Sequence, residues 1–385
     1  MPYRILHFLP SIDTRAGGPI RAVFDLSDAM SRRGHTVTIA TAHTPAEGPP
    51  AELTGDVNPR VVVLKPGLVK GHWLPAPARA TLRELMANHQ LAHVHGVWDI
   101  SNVQVGRIAR SMGKPYFVSV RGMLDDWCME QKRAKKLLFH TLTGRSHLNG
   151  AAEIHLTADA ELDQARKWFS PAKGTVISNL LNLDPYRKAP GPGLAQEKFA
   201  CLREPHPVVL FLSRIHYKKG AEVLIDAAHA MAKAGVHATF VLAGPCDEDY
   251  RAALQAHIQR CGLTERVHFV GHVGGDLKVS LYQAATVMAL PTSQENFGFV
   301  FPESLAAGTP VITTKGVDIW PSLERGGGSL IVDRTPQAFA EAMTRLLQDT
   351  SLRERMSEQA RRYVFAEYDE SRIAAQFEAM YAKAL

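Results

Sequence analysis

The chain has 385 residues, 45% hydrophobic and 21% charged, the balance of an ordinary globular protein and enough length for two cores of about 150–200 residues each. Its 44 Lys/Arg against 38 Asp/Glu give a net charge of +6, and no run of about 18 apolar residues occurs, which excludes a spanning helix. The four cysteines, Cys128, Cys201, Cys246 and Cys261, show neither metal-ligand spacing nor a disulfide framework, which points to a reducing cytoplasm.

The first apolar run, 3–9, is too short for a secretion signal and reads as a first strand. Further strands are expected at 36–41, 61–64, 91–95, 116–120 and 153–157. Helices are expected at 19–33, 75–89, 101–112, 131–149 and 158–169. Gly17 and Gly18 close the first strand and open a helix with Pro19 at its start, where a ligand can approach the backbone and a negative group is favoured, although a plain tight turn has the same composition. His95 and Gly96 end the 91–95 strand beside Trp98, as a pocket edge would, although a strand-end His is often structural. Arg121 ends the 116–120 strand, suited to holding phosphate or carboxylate or, more plainly, to pairing with Asp125 or Asp126.

The excess of positive charge lies wholly in this half: residues 1–182 carry 22 Lys/Arg against 15 Asp/Glu, and residues 183–385 carry 22 against 23. Part of it clusters as Lys132, Arg133, Lys135 and Lys136, followed by Leu137, Leu138 and Phe139. That composition suits a solvated helix face or contact with an anionic leaflet. No aromatic-interleaved basic stripe accompanies it, so nucleic acid is not an expected partner.

Residues 183–207, with Pro185, Pro190, Pro192, Pro205 and Pro207, read as a linker between a first domain at 1–182 and a second at 208–365. The second half repeats the alternation, with strands at 208–213, 238–243, 267–270, 287–291, 311–314 and 330–332. Its helices are expected near 220–234, 248–262, 275–284, 302–308 and 336–348. The class is α/β, with two Rossmann-like parallel sheets covered on both faces. Arg214 and Lys219 follow the first strand of this half, where two cations would neutralise a diphosphate. Asp247, Glu248 and Asp249 precede a helix and read as cap and first-turn acids, and the 17 histidines form no ligand array in sequence, so no metal is expected.

Glu295 and Glu303 flank the turn between the 287–291 strand and the next helix. Pro302 suits a first helical turn, and helix-start amides there attract an anion. Glu303 is equally suited to stabilising the helix dipole. Glu295, among Phe297, Phe299 and Phe301, needs a partner or a ligand hydroxyl for its charge.

These pieces in this order resemble glycosyltransferase family 4, the retaining nucleotide-sugar transferases of the GT-B fold. The resemblance rests on Gly17-Gly18, His95-Gly96, Arg214 with Lys219-Gly220, Gly271-His272, and Glu295 to Glu303 running into Gly308-Thr309-Pro310, and it covers nearly the whole chain. It implies two Rossmann-like domains facing across a cleft, with residues 366–385 crossing back to the first, acceptor-binding domain. It makes Arg214 and Lys219 the diphosphate cations, puts Glu295 by the donor sugar, sets the amides of Phe297, Gly298, Phe299 and Val300 around the phosphates, and places Glu303 on the ribose. Val273 would lie by the base, and Gly17 and Gly18 by the phosphate or acceptor. Many members carry a His where this chain has Arg121, which leaves Arg121 or His95 to share that role. The family habit is hexose transfer from a GDP- or UDP-linked sugar to a saccharide or lipid-linked saccharide, by front-face displacement and without a metal or other cofactor. With the basic first half, it implies a cytoplasmic protein resting at the inner face of the membrane in exopolysaccharide or lipopolysaccharide assembly. The alternatives are a GT-B nucleotide-sugar epimerase and, less in keeping with Arg214, Lys219, Glu295 and Glu303, a non-catalytic nucleotide-sugar-binding protein. A nicotinamide oxidoreductase would need a Gly-x-Gly-x-x-Gly turn that neither half provides.

Overall fold

In the computed structural model, residues 2–13, 17–45, 48–64 and 73–385 are described. They form two compact units, 1–180 with 370–385 and 181–369.

The first unit is built on a seven-stranded sheet of order β3-β2-β1-β4-β5-β6-β7. Its strands are β1 (Arg4–Ser11), β2 (Thr36–His43), β3 (Arg60–Val63), β4 (Leu91–His95), β5 (Tyr116–Ser119), β6 (Glu153–Leu156) and β7 (Gly174–Val176). Every pairing in it is parallel. β4 is buried at all five residues, because helices cover both faces of such a sheet. One face packs Leu82, Val94, Val118 and Ile154. The other packs Ile5, Leu91 and Phe117 against Ile373, Phe377 and Tyr381 of the last helix, Glu370–Ala382. Arg32 holds Glu370 at 2.5 Å and Arg33 holds Glu378 at 2.7 Å.

The second unit carries a six-stranded parallel sheet of order β10-β9-β8-β11-β12-β13. Its strands are β8 (Val208–Leu212), β9 (Thr239–Ala243), β10 (Val267–Gly271), β11 (Val287–Ala289), β12 (Val311–Thr313) and β13 (Ser329–Ile331). In both sheets the order reverses beside the first strand, between β1 and β4 and between β8 and β11. A crevice for ligands opens at the carboxyl ends of strands at such a point.

The fold departs from the sequence reading at several elements. β7 was not anticipated, because Gly-Thr-Val at a sheet edge is too short to show an apolar run. The expected helix 131–149 is interrupted: Arg133–Phe139 and Arg145–Gly150 flank a π-helical turn at His140–Gly144. The expected linker holds helices Asp184–Arg187 and Gly193–Lys198 and is folded onto the second unit. There the amides of Gly191 and Ala195 donate to Gln283 at 2.7 Å and Ser280 at 2.9 Å. A helix at Trp320–Arg325 was also missed. Among the described residues no helix is long and apolar enough to cross a membrane.

Candidate functional site

In the second unit, the reversal between β8 and β11 brings the segments that follow these strands together. Lys219 ends a short 3-10 turn, and Gly220 follows with φ 75°. A Cβ at Gly220 would stand 2.3 Å from the carbonyl oxygen of Pro291, so only glycine lets the two segments touch. Ser293 donates its amide to Lys218 O at 2.8 Å, and Arg334 Nε reaches Pro291 O at 2.8 Å. This seam sets the Lys219 ammonium against the Glu295 carboxylate in an ion pair. Glu295 is held on its other side by backbone bonds, from its amide to Gly316 O at 2.7 Å and from Asp318 N to its carbonyl at 2.9 Å. Lys219 is therefore the partner that the sequence required for Glu295, a carboxylate set among phenylalanines.

The loop between the two glutamates turns at Gly298, φ 64°, where a Cβ would meet the Phe301 ring at 2.6 Å and Glu295 Cγ at 2.9 Å. Phe297 and Phe299 are buried and touch edge to face, centroids 4.9 Å apart. Their side chains thus anchor the loop while its backbone turns into the helix Val300–Ala306, which starts two residues earlier than expected. Arg214 is exposed after β8, with no carboxylate at ion-pair distance among the described residues. Val273 is buried between exposed His272 and Gly274.

Glu303 differs from the expectation in its surroundings. It is 1% exposed; Lys278 Nζ stands 2.8 Å from one carboxylate oxygen, and the Tyr282 hydroxyl donates to the other at 3.0 Å. Both partners sit on helix Gly275–Ala284, and nothing local in the sequence marks them. A ribose at Glu303 would have to share a carboxylate that two protein groups already hold.

In the first unit, Gly17 caps the helix Gly18–Arg32 at φ 88°, and both glycines are exposed. Arg121 lies just past β5, with φ 58°, a left-handed conformation uncommon outside glycine. Its Nη1 donates to Asn179 Oδ1 at 2.5 Å and its Nη2 to His95 Nδ1 at 3.4 Å. The pairing with Asp125 or Asp126 does not form: Asp125 caps a helix through the Cys128 amide, and Asp126 pairs with Lys167. Asn179 shows no helical, strand or glycine signal that would have tied it to Arg121, 58 residues away.

His95 is turned inward. A guanidinium only donates, so His95 Nδ1 accepts and its Nε2 carries the proton that goes to His7 Nδ1 at 2.9 Å. No ring nitrogen is left for a substrate, so the catalytic role expected for His95 reduces to bracing Arg121. A second chain runs beside it. His155 Nε2 donates to the Ile177 carbonyl at 2.7 Å, so Ser119 donates to His155 Nδ1 at 2.7 Å. His93 Nε2 in turn donates to Ser119 at 2.8 Å, and Tyr381 donates to His93 Nδ1 at 2.7 Å. Burial first, with Arg121 or neighbouring histidines adding to it, pushes His7 and His155 down to about 3 and His93 and His95 well below the usual imidazole range. All four are therefore neutral near pH 7. His7, His93 and His95 are close enough together to hold a metal ion, as are Asp226, His257 and Cys261 in the second unit; both nitrogens of His93 are already spent on Tyr381 and Ser119.

Residues 17–179 match the family described as "Glycosyl transferase 4-like domain", and residues 196–363 match "Glycosyl transferases group 1". The chain is 31% identical over 238 residues to the alpha-D-kanosaminyltransferase of Streptomyces kanamyceticus, a match covering 60% of each chain. It is 29% identical over 365 residues to the D-inositol 3-phosphate glycosyltransferase of Actinosynnema mirum, covering 89% of this chain and 86% of that one. Among solved structures, Anabaena HepE in complex with UDP-glucose superposes with a TM-score of 0.78 at 19% identity, covering 99% of this chain and 100% of the other, which bears on the fold.

Proposed function

Because the chain belongs to glycosyltransferase family 4, we propose that it moves a hexose from a nucleotide-diphosphate sugar, UDP- or GDP-linked, to a saccharide or lipid-linked saccharide, retaining the anomeric configuration. The observation that carries this reading is the Lys219–Glu295 pair at the β8/β11 switch point, with exposed Arg214 leaving the same strand. A diphosphate is a strong competitor for Lys219, and two cations beside it stabilise the charge that grows as the diphosphate leaves. Once Lys219 turns to the phosphates, Glu295 is released to orient sugar hydroxyls. The amides of the Phe297–Val300 turn add donors for the same anion. With the charge supplied by side chains, the reaction requires no metal. The departing diphosphate oxygen takes the acceptor proton, and the protein acts by positioning and by holding leaving-group charge.

The relatives named as kanosaminyl- and inositol-phosphate transferases support group transfer over the epimerase alternative. Thermal denaturation with UDP, GDP, ADP and their sugars tests the donor; the matching nucleotide raises Tm, and no shift with any of them sinks the reading. Release of free or epimerised sugar from donor alone, with no acceptor product, would favour the epimerase. An inverted product refutes retention.

Peripheral membrane contact rests on the irregular helix around the π turn. Lys132, Arg133, Lys135 and Arg145 are exposed there, with Leu138 61% and Leu142 68% exposed one turn apart. Lys136 is not part of this surface: its ammonium bonds Cys128 and lies 5.4 Å from the Trp98 ring centroid. Sedimentation with anionic vesicles, lost on reversing Arg133 and Lys135, tests the contact; no sedimentation of the native chain removes it.

A further inference from the structure

We propose that Arg121 binds an oxyanion, phosphate or carboxylate, carried by the substrate that enters the first unit, so that this substrate is anionic. The inference rests on the transferase reading and adds a substrate class to it.

Arg121 is 8% exposed, and its charge has no carboxylate at ion-pair distance among the described residues. Its two acceptors, Asn179 Oδ1 and His95 Nδ1, are neutral, and its Nε has no partner among the described residues. Of five N–H groups, two are therefore spent and three remain. Burial pulls its pKa down to about 10, with Glu161 opposing from a distance, so the group is still a cation at neutral pH. Glu161 itself is consumed by other donors: the Gly122 amide at 2.6 Å, the Thr157 amide at 2.7 Å and the Thr157 hydroxyl at 2.8 Å.

A guanidinium kept only for structure is normally matched with an acid, because a buried unpaired charge is costly. Here the cost is compounded by the left-handed backbone at φ 58°. Three unfavourable features thus coincide at one residue, at the carboxyl end of a central strand where ligands of such sheets bind. An oxyanion would relieve two of them together, supplying the missing counter-charge and accepting the unused N–H groups in the planar fork that guanidinium offers. His95 and Asn179 hold that fork without neutralising it, which is what a binding site, unlike a structural ion pair, requires. His95 can do this because His7 takes its other nitrogen and the pair stays neutral.

The test uses the full chain carrying Arg214→Ala and Lys219→Ala, which removes both phosphate cations assigned to the second unit, and titrates inorganic phosphate and D-glucuronate separately by calorimetry and by Tm. Binding of phosphate assigns a phosphorylated substrate, and binding of glucuronate assigns a uronate. In either case Arg121→Gln, added to that background, weakens the anion at least tenfold. Asn179→Asp, which places a carboxylate on the same guanidinium, does likewise while leaving Tm without anion unchanged or higher. The second variant keeps the test decisive if Arg121→Gln does not fold. Equal affinity in all variants, or no binding of either anion by the Arg121-bearing chain, overturns the proposal. UDP and GDP are titrated into the native chain: nucleotide binding with no Arg121-dependent anion refutes this inference alone, and an Arg121-dependent anion with no nucleotide binding refutes the donor assignment alone.

Discussion

Lys219 in the second unit and Arg121 in the first both follow the carboxyl end of a central parallel strand, yet they are held by opposite means. Lys219 faces a carboxylate, Glu295, on a backbone that glycine makes possible. Arg121 faces a neutral amide and a neutral imidazole, on a backbone that arginine adopts only under strain. A paired cation must exchange one anion for another, so its partner is freed for work when the ligand arrives. An unpaired, braced cation has nothing to exchange and depends on its brace staying neutral. The second unit is thus organised by charge and the first by a network of uncharged histidines.

The largest expected consequence is a difference in acid sensitivity. His7, His147 and His155 are held at about 3 in the folded chain by burial, against about 6.5 unfolded. Between those values the unfolded chain binds protons that the folded chain refuses, so stability is full above 6.5 and falls as pH drops. Each of the three costs about 1.4 kcal/mol for each pH unit below 6.5, so acidifying from 7.5 to 5.5 removes about 4 kcal/mol through these three alone, and His93 and His95, held low by the same burial, add to the loss. Glu378, held at about 2 by Arg33, contributes nothing in this window because its loss begins only below the ordinary carboxylate range. In the second unit burial pushes one described histidine down, His216, near the surface. Hydrogen exchange read separately on β6 and β8 checks this; equal acceleration in both breaks the contrast.

Lys219→Ala tests the charged half. Removing one preorganised donor to a leaving anion costs about 10²–10³ in kcat, whereas Glu295→Gln, which leaves Lys219 unpaired but present, costs less. Similar losses in the two would mean that Lys219 acts only through Glu295. Glu303→Ala is expected to weaken nucleotide-sugar binding and also to cost about 2–3 kcal/mol of stability, because Lys278 and Tyr282 lose a buried acceptor. Unchanged affinity with lost stability would leave Glu303 a structural acid.

How much of this was legible in the sequence follows the same division. Strand–helix alternation fixes two parallel sheets, and β4 and helices 275–284 and 336–348 fall where the apolar pattern put them. The Lys219–Glu295 region was visible because glycine, proline and charge cluster at two turns, each a local signal. Lys278 and Tyr282, which hold Glu303, were not visible, since nothing at 21–25 residues' distance marks which side chains a helix packing will bring together. The brace of Arg121 was hidden for the same reason. His7, inside β1, and Asn179, in the segment after β7, carry no local signal that ties them to Arg121 or to His95 at the end of β4. Proline density made 183–207 look like a connection, although prolines equally punctuate short helices laid on a surface.

The smallest effect sharpens the contrast most. Tyr381→Phe removes one hydroxyl and no volume from the core, and leaves His93 Nδ1 as a buried acceptor without a donor, at about 1–2 kcal/mol. Because the direction of the chain is fixed at its far end by the Ile177 carbonyl, His93 cannot recover by changing tautomer: moving its proton to Nδ1 would leave Ser119 without a donor. The same substitution breaks no hydrogen bond of His7, His95 or Arg121. Tyr381→Phe is therefore expected to lower Tm by a few degrees with KM and kcat unchanged. A fall in kcat at constant stability would show that the two histidine chains act as one, and that the last helix, through Tyr381, sets the position of Arg121 as well as covering the sheet.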